Sequence, residues 1–245
     1  MNIDIVISVA TEGEAAGIAG MVEKAGVSYV GARKIFSGYL EKKPVRILVT
    51  GPGIVNTVQA LTAAVENSRP SLIIQTGCAG AFKEAGLGVG DIGIATEEID
   101  SHLGTEPENE NSPLTDIPFS LITKDNLEIK NRYPVNCELA DSAFDAVRQD
   151  FNIDKIQVKK GPFVTVSTIT ATDKRAKRLF EQFGACMEQM EGSGAAHLAI
   201  HYDIPFLEIR AASNLVGKRD RSSWNLPLAF ERCALAVQGL IRNNK

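Results

Sequence analysis

The chain has 245 residues, which is long enough to bury the core of a sizeable domain without help from disulfides or metals. Its apolar fraction of 44% and charged fraction of 23% are those of an ordinary globular protein. A net charge of -4 and the absence of a run of Lys and Arg argue against a nucleic-acid-binding surface.

The cysteines and the N-terminal residues indicate a cytoplasmic protein. The cysteines are widely spaced and form no Cys-x-x-Cys pair, so they predict reduced thiols and no metal site. Residues 3–9 follow no basic stretch and carry Asp4 inside the apolar run, which indicates a first strand and not a signal peptide. No apolar run reaches the roughly 20 residues that a membrane-spanning helix needs, so no membrane partner is expected.

Apolar runs and helical periodicity alternate along the chain. Strands are predicted at residues 3–9, 29–40 (an early hairpin or edge addition), 45–50, 72–76, 91–96, 163–166 and 206–212. Helices are predicted at residues 14–25, 55–67, 137–150, 173–183, 192–202 and 226–242. This alternation predicts an α/β fold in which a mixed, mostly parallel central sheet is flanked by helices. Because no repeat or linker divides residues 1–245, we expect a single domain.

One predicted connection is unusually long. Residues 101–120 are rich in Glu, Asn and Pro and show little periodicity. A loop of this length in a compact domain is usually functional or mobile. It is a candidate either to cap a site or to reach a partner subunit through His102 or Phe119.

Residues 189–197 carry the clearest sign of a functional site. Glu191 precedes a predicted helix that begins with Gly and Ala, and such small residues let a helix pack closely on a sheet. The next predicted strand ends in Arg210, Ser213 and Asn214, and polar side chains at such strand ends face the ligand crevice. Glu191 could instead be an acid favoured by the helix dipole, and Ser213 and Asn214 a simple turn. Their occurrence as one unit favours the functional interpretation.

This unit resembles the nucleoside phosphorylase and nucleosidase superfamily and, within it, the futalosine hydrolases, which are N-ribosidases of menaquinone biosynthesis. The similarity extends over nearly the whole chain. It is most specific at residues 189–224, which include the run Ser-Asn-Leu-Val-Gly-x-Arg-Asp-Arg-Ser-x-Trp. Residues 77–80, Gly-Cys-Ala-Gly, match a superfamily turn whose backbone approaches the sugar and base. Thr11 departs from the family by replacing a methionine, and residues 166–172 lack the Ser-Gly-Asp sequence of methylthioadenosine nucleosidases.

The first turn of the chain bears on the nucleophile. Related nucleosidases carry Met-Glu-Glu-Glu where this chain has Thr-Glu-Gly-Glu at residues 11–14, and their catalytic glutamate matches Glu14. Phosphorylases of the superfamily place arginines where this chain has Glu14 and Gln75. A carboxylate repels phosphate but serves as a base for water. The resemblance therefore implies hydrolysis, with an N-terminal helix acid as the structural alternative for Glu14.

The resemblance also assigns residues to the sugar. Glu191 is expected to accept hydrogen bonds from the ribose hydroxyls, which tighten as the ring gains oxocarbenium character. Arg210 is expected to orient the carboxylates, with a purely structural ion pair as the alternative. Arg219 or Arg221 is a candidate to meet the substrate's carboxylate, although both could simply solvate a loop. The residues expected to bind substrate are Cys78, Ala79, Gly80, Ile169, Thr170, Met190, Arg210, Ser213, Arg219 and Trp224.

Asn214 bears on the choice of purine. Nucleosidases that cleave adenine carry Asp at this position. The amide of Asn214 can donate to a 6-oxo oxygen while its carbonyl accepts from a protonated N7, which favours hypoxanthine. Glu14, Asn214 and Glu191 are therefore the predicted catalytic residues.

The resemblance, together with Asn214, thus implies a hydrolase that cleaves the N-glycosidic bond of futalosine to release hypoxanthine and dehypoxanthine futalosine, without a cofactor or a metal. The enzymatic alternatives are a methylthioadenosine/S-adenosylhomocysteine nucleosidase, an aminofutalosine nucleosidase and a purine nucleoside phosphorylase. The non-enzymatic alternative is a nucleoside-binding protein. The resemblance also implies a homodimer or higher homo-oligomer.

Overall fold

The computed structural model describes residues 4–109, 112–124, 127–151 and 156–243. Ile3 of the predicted first strand and residues 110–111 of the long connection lie outside the described residues. The strands are β1 (Ile5–Val9), β2 (Glu23–Val30), β3 (Arg33–Leu40), β4 (Lys43–Val49), β5 (Leu72–Ala81), β6 (Ile92–Asp100), β7 (Ile122–Lys124), β8 (Leu127–Ile129), β9 (Arg132–Pro134), β10 (Val158–Thr165), β11 (Met187–Gln189) and β12 (Phe206–Leu215). The helices are α1 (Glu12–Ala19), α2 (Ile54–Asn67), α3 (Cys137–Phe151), α4 (Asp173–Phe183), α5 (Gly192–His201) and α6 (Leu226–Asn243).

A mixed central sheet runs in the order β11-β10-β6-β12-β5-β1-β4-β3-β2, with β9 beside β6. Its centre is parallel, because β1 pairs in parallel with β4 and β5, and β5 with β12. β11 pairs with both β10 and β5, so one half of the sheet closes on itself. The predicted α/β fold with a mixed sheet is confirmed.

Helices cover both faces of this sheet. α2 packs against α5, while α1 and α3 pack against α6, which lies on β5 and β12. Every residue of β1 is buried, as expected for a strand covered on both sides. No helix among the described residues is long and apolar enough to cross a membrane.

The first helix was predicted at residues 14–25, and its position is wrong at both ends. It begins at Glu12 because Thr11 and Glu14 form a capping box, in which each side chain bonds the other's backbone N–H. It ends at Ala19 because residues from Glu23 onward pair with β3 as an edge hairpin. Tertiary strand pairing therefore overrides the local helical pattern.

Other strand boundaries also differ from the predictions. β10 begins at Val158, five residues before the predicted run at 163–166, because β6 supplies a parallel partner from Ile92 onward. β11 was missed because it is only three residues long and its pairing partners are distant in sequence. Short strands of this kind carry too few residues to show a period.

A bulge near the end of β12 changes the direction of the side chains at the functional site. The register with β5 shifts between Ala212, opposite Ala79, and Asn214, opposite Gly80. Ser213 is therefore the extra residue. A bulge re-aims the side chains next to it, and here it does so at the carboxyl ends of two neighbouring parallel strands.

Candidate active site

A cavity of about 220 Å³ opens at the carboxyl ends of the central strands. It brings together every residue predicted to act on or bind substrate: Glu14, Cys78, Ala79, Gly80, Ile169, Thr170, Met190, Glu191, Arg210, Ser213, Asn214, Arg219 and Trp224. Their convergence is a structural finding, whereas their individual roles stay predictions. Within the described part of the chain, no cluster of His, Cys, Asp and Glu side chains could hold a metal ion.

Glu14 is fixed by both of its oxygens. Oε2 accepts from the backbone N–H of Thr11 at 2.9 Å, which completes the cap of α1, and Oε1 accepts from the N–H of Cys78 at 3.0 Å. The carboxylate lies against Gly77, where an added Cβ would lie 2.3 Å from Oε1 and where φ is +145°. Glycine is required here because the carboxylate occupies the space of a side chain.

Glu191 stands at the N-cap position of α5 and is 4% exposed. Its Oε1 accepts from the backbone N–H of Gly53 at 2.8 Å, and its Oε2 accepts from Arg210 at 3.0 Å. The glycine-bearing turn that contains Gly53 therefore holds a site carboxylate, and its Pro52 lines the cavity.

Arg210 lies between three groups of the site. Nε donates to Glu208 at 2.6 Å, one terminal nitrogen donates to Glu191, and the other donates to the carbonyl of Cys78 at 3.2 Å. Burial lowers the pKa of the guanidinium, but the carboxylates of Glu208, Glu191 and Glu14 outweigh it and raise the pKa above its usual range. Arg210 is thus both a buried ion-pair partner and a cavity residue.

A polar layer around Gln189, which itself lines the cavity, was not predicted. The side-chain oxygen of Gln189 accepts from the N–H groups of Glu191 at 2.5 Å and Gly192 at 2.8 Å. Its nitrogen donates to Glu98 and to Thr165, each at 2.8 Å. Glu98 comes from β6, far away in sequence. Glu98 lies two residues beyond the predicted strand at 91–96 and beside Glu97, so no local pattern singled it out.

At the other side of the cavity, Ser213 orients the amide of Asn214. The hydroxyl of Ser213 lies 2.8 Å from Oδ1 of Asn214, and Nδ2 of Asn214 donates to the carbonyl of Leu215 at 2.9 Å. A Cβ on Gly80 would lie 3.3 Å from Nδ2, so glycine lets the two strands approach closely. One amide hydrogen and one carbonyl lone pair of Asn214 remain for a ligand.

Glu188 is a cavity residue that the sequence analysis missed. It pairs with Gly80 on β5, and Asn214 pairs with the same glycine from β12, so Glu188 and Asn214 flank it. Its Oε1 accepts from the backbone N–H of Thr170 at 3.1 Å. Burial raises the pKa of Glu188. Glu188 is the middle residue of β11, so it was missed together with that strand.

Arg219 and Trp224 lie side by side in the lining of the cavity. The guanidinium of Arg219 lies 5.1 Å from the ring centroid of Trp224, a cation–π distance. Arg219 lines the cavity, whereas Arg221, the other predicted candidate, is outside the lining residues.

Burial, together with Glu14, raises the pKa of the Cys78 thiol, which therefore stays neutral.

Residues 4–242 match the model of the phosphorylase superfamily. The chain therefore belongs to this superfamily, and the resemblance inferred from the sequence is confirmed. Within the superfamily the chain is an N-glycosyl hydrolase of the nucleosidase type, as the following relatives indicate.

Two curated relatives and one solved structure illustrate the similarity. The futalosine hydrolase of Streptomyces coelicolor is 34% identical over 173 residues, 70% of this chain and 66% of that protein. A 5'-methylthioadenosine/S-adenosylhomocysteine nucleosidase of Bacillus licheniformis is 28% identical over 193 residues, 77% of this chain and 76% of that protein. The nucleosidase of the same name from Neisseria meningitidis, solved with methylthio-immucillin-A, superposes with a TM-score of 0.83 at 21% identity, covering 98% and 99% of the two chains.

Proposed function

We propose that this protein hydrolyses the N-glycosidic bond of futalosine and releases hypoxanthine and dehypoxanthine futalosine. The observation that carries the proposal is the amide of Asn214, which Ser213 orients at the cavity. Relatives of both the futalosine and the methylthioadenosine type match this chain, so the choice between 6-oxo and 6-amino purines rests on this amide.

Departure of the base requires its activation. N7 of the purine takes a proton from solvent, the carbonyl of Asn214 accepts a hydrogen bond from this N7–H, and the free amide hydrogen of Asn214 donates to O6. The bond between C1' and N9 then breaks, its electron pair moves to N9, and hypoxanthine leaves as a neutral molecule. The fixed amide donor is most effective on a 6-oxopurine, because a 6-amino group cannot accept this bond.

The sugar is stabilised from the opposite side. Glu191 accepts hydrogen bonds from the ribose hydroxyls, and these bonds strengthen as positive charge develops on the ring. Glu14 takes a proton from the water that attacks C1'. Arg210 keeps Glu191 in place and balances the negative charge of the carboxylates.

Water is a better nucleophile than phosphate for this cavity. The cationic residues among those that line it are Arg210, Lys218 and Arg219, and Arg210 already binds two carboxylates. Gln75, at a position where phosphorylases place arginine, is fully buried and lies outside the lining. Phosphate would also meet the carboxylate of Glu14, which repels it.

We also propose that the protein acts in the cytoplasm as a homo-oligomer in which residues 101–120 close a neighbouring site. Phe119 in this segment is 61% exposed, and Val55, close to Pro52 of the cavity, is 83% exposed. Of the two residues expected to reach a neighbour, Phe119 is better placed. His102 is held within its own chain by the N–H of Ser167 and by Arg175, each at 3.0 Å.

A substrate panel in phosphate-free buffer tests the proposal. Purified protein is incubated with futalosine, its 6-amino analogue, methylthioadenosine or inosine, and the released base is measured. We expect hypoxanthine from futalosine at the highest kcat/KM. Strict dependence on phosphate would identify a phosphorylase, preferential release of adenine would identify the methylthioadenosine or aminofutalosine alternative, and binding of hypoxanthine without cleavage would identify a binding protein.

A further inference from the structure

A pair of carboxyl groups lies directly behind the cavity. Glu98 on β6 and Glu208 on β12 are both 0% exposed. The point where a Cβ on Gly192 would lie is 2.3 Å from an oxygen of Glu98 and 2.2 Å from an oxygen of Glu208. The two groups are therefore neighbours at the start of α5. Neither of them lines the cavity or touches substrate in the proposed reaction.

This pair holds one proton. Two adjacent buried carboxyl groups do not both ionise, because each negative charge raises the cost of the other. Glu208 is the anion, since its Oε1 accepts from Arg210 at 2.6 Å. Glu98 accepts instead from the neutral amide of Gln189, and both burial and Glu208 raise its pKa. Oε1 of Glu98 and Oε2 of Glu208 are buried and have no other hydrogen-bond partner, which leaves them for a proton shared between the two groups.

We propose that Glu98 is a positioning residue of the nucleosidase reaction and works as a neutral carboxylic acid. Its proton holds the carboxylate of Glu208, Glu208 holds Arg210, and Arg210 holds Glu191 against the ribose. The proposal rests on the proposed function, because it requires Glu191 to act on the sugar.

A second set of contacts connects Glu98 to the same place. The amide of Gln189 donates to Glu98 at 2.8 Å while its oxygen accepts from the N–H of Glu191 at 2.5 Å. Glu98 therefore reaches the Glu191 side chain through Glu208 and Arg210, and the Glu191 backbone through Gln189. An ionised Glu98 would repel Glu208 and compete for Arg210, which would disturb both connections.

Two substitutions at Glu98 distinguish the contribution of its hydrogen bonds from the contribution of its size. Glu98→Gln keeps a neutral donor toward Glu208 and an acceptor toward Gln189, so activity should stay near that of the wild type. Glu98→Met keeps the length but loses both hydrogen bonds. We expect its kcat to fall about a hundred-fold with a smaller change in KM, as for a misplaced transition-state contact.

The neighbouring residue offers a matched control. Glu97 on the same strand is partly exposed and forms a surface ion pair with Arg132 at 2.9 Å. Glu97→Gln makes the same chemical change outside the buried layer and should leave kcat and its pH profile unchanged. If Glu98→Gln loses as much activity as Glu98→Met while both remain folded, the neutral-acid role is wrong. If Glu98→Met retains full activity, Glu98 does not position the site.

An independent measurement does not require turnover or a folded Met variant. Infrared spectra of the wild type at neutral pH should contain a buried carboxylic-acid band that Glu98→Gln lacks. The absence of that band would overturn the proton assignment. If no nucleoside of the panel is cleaved, the proposed function has failed, and the infrared result still decides whether Glu98 carries the proton.

Discussion

The carboxylate of Glu14 accepts a hydrogen bond from the backbone N–H of Cys78 at 3.0 Å. This bond joins the first turn of the chain to the glycine-bearing turn at the end of β5. The same carboxylate caps α1 through Thr11, so one side chain anchors a helix and faces the cavity. Helix capping and the proposed activation of water are therefore properties of a single residue, and substitutions can separate them.

Glu14→Gln should abolish most activity while the fold survives. Glutamine also occupies the third helical position in capping boxes, so α1 should still form. It cannot accept a proton from water, and we expect kcat/KM to fall by roughly two to four powers of ten, as for removal of a general base. Thr11→Ala is the contrasting variant, because it removes the cap and should cost about 1 kcal/mol of stability. Equal activity losses in both variants would argue against a role for Glu14 as base.

Asn214→Asp should change the preferred purine. The substitution is nearly isosteric, but the carboxylate loses the fixed amide donor to O6 and can, when protonated, donate to N7 of a 6-aminopurine. We expect kcat/KM for futalosine to fall by roughly two to four powers of ten, and that for its 6-amino analogue to fall much less or to rise. Parallel losses on both substrates would mean that Asn214 does not recognise the 6-position.

Gly77→Ala should inactivate the site by displacing Glu14. The new Cβ would lie 2.3 Å from the Glu14 carboxylate and 3.0 Å from a nitrogen of Arg210. A displacement of this kind is expected to cost about a hundred-fold in kcat/KM. Gly184→Ala is the control, because Gly184 also has a positive φ, +60°, but no atom within 4 Å of the added Cβ. It should lose about 1 kcal/mol of stability and no activity. Wild-type kinetics in Gly77→Ala would contradict the assignment.

The dependence of stability on pH should differ between the wild type and Glu98→Gln. The pKa of Glu98 is raised in the folded protein, by burial and then by Glu208. Above the ordinary pKa of glutamate, the unfolded chain releases a proton that the folded chain keeps, so stability falls as pH rises toward the folded-state pKa. The stability of Glu98→Gln relative to the wild type should therefore increase by about 1.4 kcal/mol per pH unit over that window. Parallel curves from denaturant unfolding would show that Glu98 has no raised pKa.

Arg219→Ala should weaken binding of a substrate that carries a carboxylate. Arg219 lines the cavity beside Trp224, and a charge-assisted hydrogen bond contributes about 1.5–3 kcal/mol. We expect KM for futalosine to rise about ten- to a hundred-fold and KM for inosine to stay the same. Arg221→Ala is the matched change on the same loop and should alter neither value. A rise only in Arg221→Ala would reassign the carboxylate to that residue.

The predicted elements succeeded where one local pattern covers many residues. The buried strands of the centre and the helices from α2 onward lie close to their predicted positions, because their periods extend over several turns or pairs. The short strand β11 and the edge strand β2 depended on partners that no local pattern specifies.

The sequence by itself determined the chemistry available at the site. The residue types of Glu14, Glu191 and Asn214, and their order around a glycine-bearing helix start, are local properties of the chain, and the superfamily could be inferred from them. The predicted site residues line the cavity, with the exception of the alternative candidate Arg221, and their roles await the tests above.

Only the tertiary structure decided which other groups act together. Glu188 and Asn214 flank Gly80 because two strands pair with this residue from opposite sides, and register of this kind depends on the whole sheet. Glu98 joins Glu208 behind the cavity because β6 and β12 are adjacent, and its raised pKa arises from complete burial. Burial and long-range proximity depend on many residues that are far apart in the sequence, so no local pattern in the sequence could have revealed them.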